Sequence, residues 1–363
     1  MKKIIILLLF SLVVFSSYAT AAALSLDLKG TYQDVAPANS IEGARGMQVD
    51  TTRKIAYISG NTDDSLTAIN FTEIFNGGPL GGFTIFGSQT VSAPLGSLDG
   101  IYFGYLDTAT NIFYAPSSTD DTTSWFNVTT GTFALLNDTA VDTAAAGSQE
   151  EEYDVTIVNT ATKKWLITGG RVDDYVSSFD VTNPKVRPAV TNSFNDAAGA
   201  CSVDGMYNLI NIPGTTYVLV AATVDSYITV LNVTNAGAIA CIGSGYTDTA
   251  AAGSIEGLQY MHYNTSSNYI YTTSPTDGYL TILDASGYIS GTISIVGSVG
   301  GLTTPVSVSN VYTNGSNKYV FVGSSTAVQN ITIVDVTDPA SPSIHSIFSE
   351  KSGTCVYNGV YSL

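Results

Sequence analysis

Five carboxylates recur at matching places in the chain and are the residues best suited to chemistry: Glu42, Asp99, Glu150, Asp204 and Glu256. Each is the third residue of a short signature: SIEG at Ser40, SLDG at Ser97, SQEE at Ser148, SVDG at Ser202 and SIEG at Ser254. A second acidic set follows at a regular interval, with Asp63 and Asp64, Asp120 and Asp121, Asp173 and Asp174, Asp225, and Asp277. Converging carboxylates repel one another unless a cation or basic ligand neutralises them, and their hard oxygens suit Ca²⁺. The first set is therefore a candidate calcium ring, and an acidic surface also concentrates cationic partners. A bracing role competes with both readings. An Asp in a tight loop caps its own turn, and a carboxylate beside glycine can accept N–H bonds from a neighbouring unit.

Other reactive groups are sparse. The two histidines, His262 and His345, lie in different repeats, and no HExxH, GxSxG, phosphate-loop or dinucleotide fingerprint occurs. His262, within LQYMHYN, either faces a central channel or packs as a structural histidine. Tyr102, Tyr153, Tyr207, Tyr260 and Tyr312 recur at places that suit packing between units, and such rings can also stack on sugars.

The elements that position these groups follow from the repeat. Degenerate copies of the signature are read at Ser307 (SVSN) and Val356 (VYNG), giving a unit of about fifty residues throughout. Each unit holds four stretches of alternating or continuous apolar residues bounded by turn residues, with no helical period between them. Strand a follows the signature (GMYNLI). Strand b is the most apolar (KWLITGG, TYVLVAA, KYVFVGS). Strand c ends in Asn or Asp (YITVLNV, YLTILDA), and strand d closes the unit (AIACIGS, TISIVGS). Four antiparallel strands repeated around a ring make an all-β propeller, since one blade cannot bury both of its faces alone. Strand direction then places the start of strand a and the b–c loop on one side of the disc, so that side carries both acidic sets.

The segment Ile331–Ser349, ITIVDVTDPASPSIHSIFS, resembles the LVIVD repeat of secreted propellers, within the wider group of YVTN-like surface propellers. SSFDVTNPKVRP and ITVLNVTNAGAIACIGS match it less completely, and the proline appears only at Pro184 and Pro339. The resemblance implies a propeller over the mature chain and a surface location, without a shared reaction.

Copies of a and d outnumber those of b and c by one. The extra d is LSLDLKGTYQD (Leu24–Asp34) and the extra a is YNGVYSL (Tyr357–Leu363). This predicts seven blades with an incomplete or split last blade, and a sequence cut short at Leu363; the alternative is six blades with an irregular seam. Residues 1–23 read as a secretory signal peptide, with Lys2 and Lys3 before an apolar run and small residues at Ala19–Ala23. Residues 24–363 then form a single propeller domain, secreted or at the cell surface and monomeric. No later apolar run is long enough to span a bilayer.

The formal net charge of −17 grows more negative without the leader, which argues against nucleic acid and anionic lipid as partners. Cys201, Cys241 and Cys355 allow one disulfide, and the sequence does not choose the pair. Asn264 and Asn314 are the best placed N-x-Ser/Thr acceptors for glycosylation, in a–b turns. Asn70, Asn127, Asp180, Asn232, Asp284 and Asp335 share one place at the end of strand c, which fits turn capping. Three functions are compatible with these features. The first is a binding or adhesion module holding a protein or glycan at a cell surface through the acidic face. The second is a structural cell-envelope or surface-layer component. The third is a lactonase-like hydrolase in which Glu42, Asp204 and Glu256 hold a metal that polarises a carbonyl.

Overall fold

A computed structural model describes residues 43–62, 64–72, 84–90, 98–129, 133–139, 150–195, 201–248, 253–325 and 330–349. They build six antiparallel sheets in chain order, each with strands a to d running from its inner to its outer edge. The chain is an all-β, six-bladed propeller, which corrects the expectation of seven blades and agrees with its six-bladed alternative. The extra d (24–34) and extra a (357–363) strands lie outside the described residues, as do the leader, Glu42, Asp63 and Cys355.

Strand b is buried along its whole length in blades 1 and 2, at Ile55–Gly60 and Ile112–Ser117. It is buried beyond its first residue in blades 3 to 5, at Lys164–Gly170, Tyr217–Ala222 and Tyr269–Ser274. A strand covered on both faces needs apolar or small residues at every place, so these segments read as continuous runs rather than alternating ones. Five apolar clusters each join two successive blades. One seats Trp125 of blade 2 against Leu166 and Phe179 of blade 3, and another seats Trp165 of blade 3 against Val218 and Leu231 of blade 4. The Trp125 indole also donates to the carbonyl of Pro184, in the c–d turn of blade 3, at 2.7 Å.

The fourth signature residue turns the chain into strand a through the left-handed region, at Gly43 (φ 70°), Gly100 (67°), Gly205 (66°) and Gly257 (68°). Glycine suits the place twice over. It reaches positive φ without cost, and a Cβ on Gly43 or Gly100 would lie 2.3–2.4 Å from a hydroxyl of the b–c loop. Blade 3 uses Glu151 (φ 56°) at this place and blade 6 uses Thr304 (φ 35°). Thr304 resets the register of the last blade: its carbonyl accepts from Ser325 N, as that of Gly43 does from Asn61 N and that of Gly205 from Thr223 N. The blade 6 signature is therefore Gly301-Leu302-Thr303-Thr304, not SVSN at Ser307, and Thr303 takes the ring place expected for Ser309.

Just beyond this turn, strand a carries a bulge in blades 1, 3, 4 and 6, between Ala44 and Gly46, Glu152 and Val155, Met206 and Asn208, and Pro305 and Ser307. A bulge leaves one residue out of the ladder and re-aims its side chain. In blades 1, 4 and 6 the residue left out is the sixth of the repeat, Arg45, Tyr207 and Val306, and in blade 3 both Tyr153 and Asp154 stand opposite Gly169, so the bulge sets the direction of the seventh residue that follows or shares it.

Two of the three cysteines pair. Cys201 and Cys241, with Cα atoms 6.3 Å apart, form a disulfide joining the start of blade 4 to its outer strand. Among the described residues no helix is long and apolar enough to cross a membrane.

Candidate functional site: an axial cavity behind an acidic face

In blades 1 to 3 the second acid of the b–c loop braces the ring. Asp64 Oδ1 accepts from the backbone N–H of Gly100 at 2.9 Å, Asp121 from Glu151 at 2.9 Å and Asp174 from Gly205 at 3.1 Å. Each bond runs from one blade to the fourth signature residue of the next. All three acids sit at φ of 50–54°, a region that Asp tolerates better than most residues. Ser226 does the same with Gly257 at 3.2 Å. In blade 5 the place is Gly278, and its carbonyl accepts from Leu302 N at 3.0 Å instead.

In blades 3 to 5 the first acid of the loop bonds within its own blade. Asp225 accepts from Ser202 Oγ at 2.7 Å, and Asp277 from Ser254 Oγ at 2.5 Å. In blade 3 the Glu150 and Asp173 carboxyls hydrogen-bond each other, and this contact with a second acid raises the pKa of Glu150.

Of the expected calcium ring, Glu42 lies outside the described residues. Asp99, Glu150 and Asp204 stand in separate blades. Glu256 alone is drawn into a group of three acids, with Asp248 and Asp277, whose carboxylate oxygens lie within 4.8 Å of one another. Hard oxygens in such a group are the donor type Ca²⁺ takes.

Asn264 and Asn314 lie in a–b turns on the other side of the disc. Asn264 Oδ1 closes its own turn by accepting from the backbone N–H groups of Ser266 and Ser267, at 3.0 and 3.2 Å. Asn314 pairs with Asn317 across the tight turn of blade 6. Five of the six strand c caps are formed as their spacing suggests, while Asn232 Oδ1 accepts from Thr216 Oγ1 at 2.6 Å. Asn70, Asn127, Asp180, Asp284 and Asp335 each accept from the backbone N–H two residues on, at 2.7–3.1 Å.

At the axis the repeat breaks down. The seventh residue of successive blades is Gly46, Phe103, Asp154, Asn208, Tyr260 and Ser307, six different types where the signature allowed few. The first five line a cavity of about 210 Å³ among the inner strands. Its lining runs on through Gln48, Thr156 and His262 to Pro213 in an a–b turn, and no signature residue contributes.

On the signature side an aromatic layer backs the cavity. Tyr102, Tyr153 and Tyr207 follow one another with ring centroids 4.1 and 4.8 Å apart. Phe103 meets Tyr207 at 6.0 Å and Tyr260 at 5.6 Å. Arg45 lies over Tyr102 and Arg171 over Tyr153, at 5.5 and 5.3 Å. The cavity thus belongs to the side of the a–b turns, away from the acids.

Its polar groups divide into held and unheld. Asp154 is held: Oδ2 accepts from Asn208 Nδ2 at 2.6 Å and from Leu209 N at 2.8 Å, and Oδ1 accepts from Val155 N at 2.8 Å. Asn208 Oδ1 in turn accepts from Met261 N at 3.2 Å, so the pair ties blades 3, 4 and 5 together. Burial opposes charge on Asp154 more strongly than these donors favour it, and pushes its pKa up to about 7.

Gln48, the Tyr260 hydroxyl and His262 are unheld, with no side-chain hydrogen-bond partner among the described residues. Desolvation lowers His262 to about 4 and raises Tyr260 to about 12, so the first is neutral and the second protonated at pH 7. Of these groups, sequence reasoning singled out only His262 as facing the channel. Asp154 and Asn208 were missed, although the variation of the seventh residue against a constant signature was the available signal.

No family model and no curated protein matches the chain. Solved structures do match its fold. The periplasmic gluconolactonase of Pseudomonas aeruginosa aligns with a TM-score of 0.64 at 10% identity, over 92% of this chain and 94% of its own. A Lactobacillus plantarum protein aligns at 0.64 and 15%, over 91% and 89% of the two chains. A Bacteroides fragilis protein, proposed to be a 6-phosphogluconolactonase, aligns at 0.60 and 14%, over 87% and 85%.

Proposed function

We propose that the chain hydrolyses small sugar-like lactones in its axial cavity, outside the cytoplasm. One observation carries this: three unheld polar side chains from two blades, Gln48, Tyr260 and His262, line one partly open pocket with a buried carboxyl. Half-buried polar groups without a protein partner, gathered in one pocket, are free to bond a polar ligand. A volume of about 210 Å³ lies below the range of drug-sized sites and suits a single hydroxylated ring. The lactonases among proteins of similar fold, and the leader read at residues 1–23, support the same reading.

The chemistry needs a base, a donor and an electrophile. Asp154 titrates near 7, where a general base works best at neutral pH, and Oδ1 keeps a lone pair beyond its bond to Val155. It takes a proton from water as the oxygen bonds to the lactone carbonyl carbon. The Tyr260 hydroxyl donates to the oxyanion that develops on the former carbonyl. As the ring C–O bond breaks, the proton held by Asp154 passes to the departing alkoxide. The products are a hydroxy acid and the original carboxylate. Neutral His262, a weak base at about 4, serves with Gln48 to orient the ring hydroxyls.

The adhesion reading loses its main support, because the b–c loop acids Asp64, Asp121 and Asp174 are occupied in joining blades. Calcium, if bound, belongs with Asp248, Glu256 and Asp277, none of which lines the cavity. The test is turnover of gluconolactone above its spontaneous rate by the purified protein, and its loss in Asp154→Asn. A wild-type rate equal to the buffer blank overturns the proposal.

A further inference from the structure

The cavity is polar without being cationic. Among the described residues none that lines it is Lys or Arg, and Asp154 carries the one carboxyl. The nearest guanidinium groups identified at the axis, Arg45 and Arg171, lie over the outer rings Tyr102 and Tyr153, with Arg171 paired to Glu151 at 2.7 Å. The aromatic contacts run on from Tyr153 through Tyr207 and Phe103 to Tyr260, and of these Phe103 and Tyr260 line the cavity. An anion entering the cavity would shed its water and find hydrogen-bond donors but no countercharge, in a chain already at −17.

Resting on the lactonase reading, we infer that this cavity selects by charge: it admits uncharged sugar lactones, rejects phosphorylated ones and expels its own carboxylate product. Selection comes from what the site withholds as much as from what it offers. Gln48, Asn208, Tyr260 and His262 can exchange hydrogen bonds with ring hydroxyls. A phosphate dianion in the same space meets those neutral groups and the Asp154 carboxylate. Hydrolysis converts a neutral ring into a hydroxy acid whose carboxyl then gives its proton to water, leaving an anion beside the Asp154 carboxylate, so the reaction itself creates the repulsion that clears the site.

The experiment measures kcat/KM for gluconolactone and for 6-phosphogluconolactone in one buffer, with product inhibition by gluconate. The expected result is a preference of about a hundredfold or more for the uncharged lactone, the scale on which an unpaired buried charge discriminates, and no inhibition by gluconate at substrate concentration. Equal or better turnover of the phosphorylated lactone overturns the inference while leaving the hydrolase reading intact. If neither lactone turns over, the hydrolase reading fails and the charge rule is read from binding. The melting temperature should then rise with the uncharged lactone and not with the phosphorylated one; no rise with either overturns it. Gln48→Lys supplies the missing cation and should narrow the preference at least tenfold.

Discussion

The two sides of this propeller use carboxylates for opposite ends. On the signature side, acids recur blade after blade, and their partners are the protein's own backbone and serines: Asp64 to Gly100, Asp121 to Glu151, Asp174 to Gly205, Asp225 to Ser202. At the axis, among the described residues, a single acid, Asp154, lines a cavity whose other polar side chains are Asn, Tyr, Gln, Thr and His. A residue repeated in every blade answers a need that every blade has, which is to hold the next one. A place that differs from blade to blade answers a need found once, where all the inner strands meet.

That contrast can be broken most directly by paired substitutions. Asp154→Asn should lower lactone kcat/KM by about a hundredfold to ten-thousandfold, the usual worth of a general base, while Asp173→Asn on the acidic side leaves it unchanged. Comparable losses in both variants would merge the two sides into one site. In the wild type, kcat/KM should climb about tenfold per pH unit up to about 7 and level off above it, as Asp154 loses its proton.

Next in size is the Cys201–Cys241 crosslink. It spans 40 residues, and its removal in Cys241→Ser should cost about 3–4 kcal/mol in denaturant unfolding, with turnover at low temperature preserved.

A third test concerns stability against pH. Asp154 titrates near 3.8 when unfolded and near 7 in the fold, so between those values the folded protein holds the extra proton. Its stabilising share is fully present below about 4 and is lost as pH rises to about 7. The melting temperature of the wild type should therefore fall relative to Asp154→Asn over that window; a constant difference would mean that the carboxyl is not buried as described.

Smaller still is the effect of one inter-blade bond. Asp121→Ala leaves the Glu151 N–H without its acceptor and should cost about 1–3 kcal/mol with no change in kcat/KM. Weakest of all, millimolar Ca²⁺ should raise stability by no more than about 1 kcal/mol, and Glu256→Gln should remove that rise while turnover is unaffected.

Much of this architecture was readable from the residues. The evenly spaced signature, the apolar b strands such as KWLITGG and the Asn or Asp at the end of strand c reflect local rules, and each took the form those rules require. The register of blade 6 was not readable. Its left-handed turn residue is Thr304 rather than glycine, and SVSN at Ser307 imitates a signature it does not occupy. The number of blades escaped for a related reason, since strand-like stretches near both ends count as strands on pattern alone. Asp154 and Asn208 escaped because a bulge sets their direction, and plain alternation gives no warning of an extra residue. The pairing of Cys201 with Cys241 depends on the path of blade 4 in space, which spacing does not encode.

The bonds from the b–c loops of blades 1 to 5 to the next signature have one more consequence. Blades 2 to 5 each carry one half of a joint at the leading edge and the other half at the trailing edge, and each of these joints links immediate neighbours. Such a unit is modular in the way of a link in a chain. A duplicated or deleted copy brings both halves with it, so a ring of another size can close without new joints being invented. Position seven then becomes the variable letter in each copy, and the contents of the axis can be rewritten one blade at a time while the rim stays the same.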